Sequence, residues 1–114
     1  MDVSHPNEHG VLTDGHREII AQRGRSHATI RITLCEDGRF RYGLDMMYSY
    51  GGFSFPITID DESFDSLPSA REAAIEAMLL RFPEPFHSEP ASVHAELSDL
   101  REQVTAHFRQ PSLF

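Results

Sequence analysis

Lysine is missing from the chain: all ten basic residues are arginine, a usage that strong codon bias in the host genome accounts for. Cysteine is nearly missing, and a lone Cys35 excludes an intramolecular disulfide. No apolar run approaches the length needed to span a bilayer, so no membrane association is expected. Residues 1–10 are polar and contain no apolar stretch of the kind a secretory signal requires. Together these absences point to a cytoplasmic protein. Catalytic signatures are missing as well. There is no second cysteine and no HExxH pattern for a metal, and Gly51-Gly52 is followed by neither the helix nor the basic residue of a phosphate loop.

What remains is a chain of 114 residues, enough for one domain whose core needs no staples. The apolar share of 39% is slightly low, so some residues are expected outside the packed body. Charge is spread unevenly. Residues 1–26 carry four acids and three arginines, residues 27–59 three of each, and residues 60–114 eleven acids against four arginines. The net charge of −8 is therefore a property of the C-terminal half. A binder of duplex nucleic acid shows a basic surface; this chain does not, and direct duplex binding is not expected.

Residues 1–13 are polar and aperiodic and are read as a flexible N-terminal arm. Thr13 or Asp14 can cap a short helix over His16 to Gln22, with Gly24 stopping it. From Ala28 to Ile59 the pattern alternates with period two and predicts a three-stranded antiparallel meander. Facing residues on paired strands must share a face, which tests each turn. A three-residue loop, Glu36-Asp37-Gly38, pairs Leu34 with Phe40, Ile32 with Tyr42 and Ile30 with Leu44, and puts glycine where a G1 bulge needs it. A two-residue turn at Gly51-Gly52 pairs Tyr50 with Phe53, Tyr48 with Phe55, Met46 with Ile57 and Leu44 with Ile59. Pro56 suits an edge strand.

After the meander, Ser69 and Glu72 form a capping box for a helix reaching Phe82, with Ile75, Met78, Leu79 and Phe82 on its stripe. Residues 82–90 are proline-rich and read as an extended connector. A last helix from about Ala91 to Arg109 carries Val93, Leu97, Leu100, Val104 and Phe108 on one stripe. The expected fold is thus α+β, in the order α-β-β-β-α-α, with helices packed on one face of the meander. Residues 14–109 make the single domain and residues 110–114 a C-terminal tail.

Tyr48, Tyr50, Phe53 and Phe55 gather at the end of the second hairpin, beyond the start of the first strand. Left exposed, such a cluster binds a protein partner; otherwise the last helix or the N-terminal arm covers it. The opposite sheet face, with Thr29, Arg31, Thr33, Arg39, Arg41 and Asp45, reads as solvated. Seven histidines raise a metal question, but His5 and His9 flank Pro6 and precede Gly10, and His94 and His107 lie too far apart on one helix to share an ion. Cys35 lacks a local base and reads as structural, and Asp60, Asp61 and Glu62 read as turn residues rather than an acid/base pair. No cofactor and no enzymatic activity are expected.

The order helix, three strands, helix over about Asp14 to Phe82 resembles that of double-stranded-RNA-binding domains. The lysines such domains place at the start of the helix after the sheet are replaced here by Ser66-Leu67-Pro68-Ser69-Ala70-Arg71. The peptide Gln110-Pro111-Ser112-Leu113-Phe114 resembles the pentapeptide by which bacterial replication and repair proteins bind the DNA sliding clamp. That resemblance implies a rim contact for Gln110 and an apolar pocket for Leu113 and Phe114. Ser112 also suits the motif, while Pro111 stands where leucine is commoner. The expected function is a small, non-catalytic protein-binding adaptor associated with bacterial replication or repair. The alternative is an acidic inhibitor whose carboxylates imitate a nucleic-acid backbone for a basic protein. The last helix has about two heptads of stripe, enough either to pair with a neighbour in a homodimer or to fold back on its own sheet.

Overall fold

The computed structural model describes residues 3–4, 11–12, 15–58 and 61–109. Its elements in chain order are β1 (Val3–Ser4), β2 (Val11–Leu12), β3 (His16–Arg23), β4 (Ser26–Cys35), β5 (Phe40–Tyr48), β6 (Gly51–Phe55), β7 (Ile57–Thr58), α1 (Leu67–Leu80) and α2 (Ala91–Arg109). Strands β3 to β6 form an antiparallel sheet in that spatial order. β1 runs parallel to the last two residues of β4, and β2 pairs with β7 in a separate ladder. Both helices pack on one face of the main sheet, so the class is α+β. Of the stretch expected as a flexible arm, β1 and β2 thus pair with other strands, and its other residues through Asp14 lie outside the described ones.

The first hairpin of the meander has the register that the hydrophobic alternation requires. Leu34 faces Phe40, Ile32 faces Tyr42 and Ile30 faces Leu44. Cys35 and Arg39 close the loop, and Gly38 takes the left-handed conformation with φ +79°. Ala28, Ile30, Ile32, Leu44 and Met46 are fully buried under the helices. From α1 they meet Ala70, Ala74, Ala77, Ile75 and Met78, and from α2 Val93, Leu97, Leu100 and Val104. The small alanines let α1 lie close to the sheet. The stripe of the last helix is therefore buried within the chain, against β3 and α1, with Phe108 left exposed.

Four expectations are corrected. The stretch His16 to Gln22 is strand β3, not a helix, so the sheet gains a strand and the order begins with β. A seven-residue helix with two isoleucines has little to hold it, whereas an extended chain satisfies the free edge of β4. Gly24 has φ +60°, but uses it in a tight turn between Arg23 and Ser26, as a type II′ hairpin does. The helix that the double-stranded-RNA-binding pattern needs ahead of its sheet is this strand.

The second hairpin turns at Ser49-Tyr50, not at Gly51-Gly52. Tyr48 faces Gly51, Met46 faces Phe53 and Leu44 faces Phe55. Glu96 on α2 holds the turn, accepting from the Ser49 N–H at 2.8 Å and from its hydroxyl at 2.7 Å. Gly52 serves close approach instead, because a Cβ there would run into the Met46 carbonyl. Since the displacement is an even number of residues, each side chain of β6 keeps its expected face. Ile57 does not: beyond Pro56 the chain leaves β5, and Ile57 packs with Cys35 on the opposite face.

That opposite face is the third correction, for only Arg39 of its expected residues is exposed and three of them are buried. Thr29 is 1% exposed, Thr33 0% and Arg41 8%. Arg41 donates to both carboxylate oxygens of Asp37 and to the Asp61 carbonyl, and Arg31 donates to Asp45 at 2.7 Å. Arg31 and Arg41 are thus paired with acids, whereas Arg39 stays exposed and donates to Ser63. Fourth, α1 begins at Leu67, with Ser66 as its cap accepting from the Ser69 N–H at 3.2 Å, and it ends at Leu80.

Candidate functional site

The even shift of the second hairpin decides what lies at the sheet edge. β6 pairs with β5 alone among the described strands, so its outer side is open. In such a strand alternate residues turn their backbone N–H and C=O groups outward. Its sequence, Gly-Gly-Phe-Ser-Phe, has no charge and no proline within it, so the usual protections of an edge are missing apart from its shortness.

The four aromatic residues expected at this tip divide into two pairs. Tyr48 and Phe53 are half-buried and pack against the core. Tyr50, in the turn, and Phe55, at the end of β6, are 57% and 45% exposed. Phe53 and Phe55 remain in contact, with ring centroids 5.3 Å apart and planes tilted by 39°. The core therefore takes up part of the cluster and leaves a ring at each end of the strand exposed. Gln110, Ser112, Leu113 and Phe114 lie outside the described residues.

Where Pro56 sends the chain away from β5, a cleft of about 450 Å³ opens between the two segments. Tyr42 and Leu44 form one wall, Phe55 and Pro56 the other, and Asp61, Glu62 and Arg81 rim it. Arg81, the C-cap of α1, holds its guanidinium over the Phe55 ring, 5.4 Å from the centroid. Burial pushes the Tyr42 phenol above its ordinary value; Arg81 opposes that, while Glu62, Asp61 and Glu76 add to it. Neither Tyr42 nor Arg81 stood out in the sequence. The available signal was Pro56, which interrupts the strand and so ends the β5–β6 ladder at Leu44 and Phe55.

The remaining candidates are occupied by structural bonds. Cys35 is buried. His94 bonds the Phe86 carbonyl oxygen at 3.0 Å, and His107 lies 3.2 Å from Arg71, which also grips Glu18. Asp61 accepts from the Thr58 N–H at 2.7 Å, as a turn-closing carboxylate does. Among the described residues no group of three or more potential metal ligands converges, and no helix is long and apolar enough to cross a membrane. The C-terminal acids are distributed: Asp61 and Glu62 follow the edge, Glu72 and Glu76 lie on α1, and Glu96 and Asp99 on α2 bond Ser49 and Arg23. Comparison with protein-family models, with curated proteins and with solved structures finds no match to this chain, so the reading of the site rests on its own geometry.

Proposed function

We propose that the chain is a small non-catalytic protein-binding adaptor that engages its partner along β6 and its flanking aromatic residues. The observation that carries this reading is the open, uncharged edge of β6 with Tyr50 and Phe55 exposed beside it. An edge of this kind gains main-chain hydrogen bonds from an added strand, and the rings supply contact area at small entropic cost. The distribution of acids over an edge loop and two helices, with Glu96 and Asp99 engaged by Ser49 and Arg23, favours the adaptor over an acidic nucleic-acid mimic.

The tail gives the adaptor a second arm. Gln110-Pro111-Ser112-Leu113-Phe114 follows directly on α2, and its likeness to the clamp-binding pentapeptide supports docking on a bacterial sliding clamp, with Gln110 at the rim and Leu113 and Phe114 in the pocket. Calorimetric titration of a purified bacterial sliding clamp with the full chain and with a chain truncated after Arg109 tests this arm. Binding by the full chain alone is expected. Equal heats from the two chains, or none from either, would remove the clamp from the proposal.

A further inference from the structure

The geometry points to a partner of particular chemistry: we infer that β6 takes an extended basic segment of another protein, which adds as a strand and sets an arginine or lysine into the cleft beside Pro56. This deepens the protein-binding reading and rests on it.

Strand addition needs an edge that a second backbone can approach. β6 supplies it, with two glycines at its start and an exposed residue at every position but Phe53. A strand laid beside it directs alternate side chains to the face on which Phe53 and Phe55 lie. The side chain at the Phe55 end then arrives at the cleft. There the Phe55 ring, the Tyr42 phenol and the carboxylates of Asp61 and Glu62 converge, and Glu76 lies near enough to act on Tyr42. Arg81 shows that a guanidinium settles over this ring. Asp61, Glu62 and Glu76 stand about the cleft against Arg81. Arg31, which donates to the Phe55 carbonyl, and Arg41, which donates to that of Asp61, are paired with Asp45 and Asp37. The balance is acidic, so a further cation is drawn in and an anion is repelled. A second copy of the chain is the poorer occupant, because each copy carries a charge of −8 and the same acids beside the edge.

The test uses the full chain, immobilised, and a displayed library of random decapeptides as the probe. Enrichment of peptides with arginine or lysine at one fixed position, flanked by alternating β-forming residues, is expected. Binding of the enriched peptide should fall about tenfold in Phe55→Ala. It should fall about fivefold in Glu62→Gln, an exposed side chain, and less at high salt. Arg81→Ala should keep or tighten binding, since it vacates a cation from the ring. Enriched acidic or purely apolar peptides, or basic ones indifferent to Phe55→Ala and Glu62→Gln, would overturn the inference. So would a chain that dimerises through β6 and selects nothing. Peptides that bind elsewhere would sink this inference while leaving a protein-binding adaptor standing, and the clamp titration reads the tail independently of both.

Discussion

Single residues decide the shape of the edge, and glycine is the clearest case. Gly51 and Gly52 are adjacent, yet a Cβ on Gly51 would meet only the Tyr48 ring at 3.8 Å, while one on Gly52 meets the Met46 carbonyl. Gly52→Ala should therefore cost about 2 kcal/mol or more in urea denaturation, and Gly51→Ala well under half of that. Equal costs would return the turn to the two glycines. At the other end of the sheet, the Arg71 hydrogen bonds hold the Glu18 carboxyl below its ordinary value of 4.5, against the opposing effect of burial. A depressed folded value means the pair stabilises the fold above about pH 4.5 and is lost as pH falls through that lower value. Glu18→Gln should remove about 1 kcal/mol near neutrality, the pair being partly exposed, and should flatten the acid loss of stability. A variant as acid-sensitive as the parent would contradict this role.

At the scale of elements, the alternation of apolar residues made the meander legible. Leu34 against Phe40 follows from it without any tertiary information. It also placed Tyr48, Phe53 and Phe55 on the core face, because face depends on parity and survives an even shift of register. The turn position is not legible: both Ser49-Tyr50 and Gly51-Gly52 satisfy parity, and the choice is made by Glu96, 47 residues further along the chain. β3 is ambiguous in the sequence for a related reason. Ile19 and Ile20 fit either period, and only the vacant edge of β4 selects the strand. The cap of α1 offers a check at this scale. Ser66→Ala should cost about 1 kcal/mol, and Ser69→Ala less, since Ser66 rather than the capping-box Ser69 closes the helix end.

For the whole molecule, two packed faces and two edge strands set what it can do, β3 with Arg17, Glu18 and Arg23 along it and β6 with no charge. The helices cover one side of the sheet, and the other buries Thr29, Thr33 and Arg41. The cleft at the β6 edge could not be read in advance, since it joins Tyr42 to Arg81 through the path the chain takes after Pro56. Among the accessible features, β6 joins an uncharged edge to two exposed rings and the acidic cleft. The most direct measurement is amide hydrogen exchange on the full chain, free and saturated with an arginine-bearing decapeptide selected on it. Slowed exchange confined to residues 51–55 and the adjoining cleft residues is predicted. Protection located on α2, or no change along β6, would contradict the edge as the docking site.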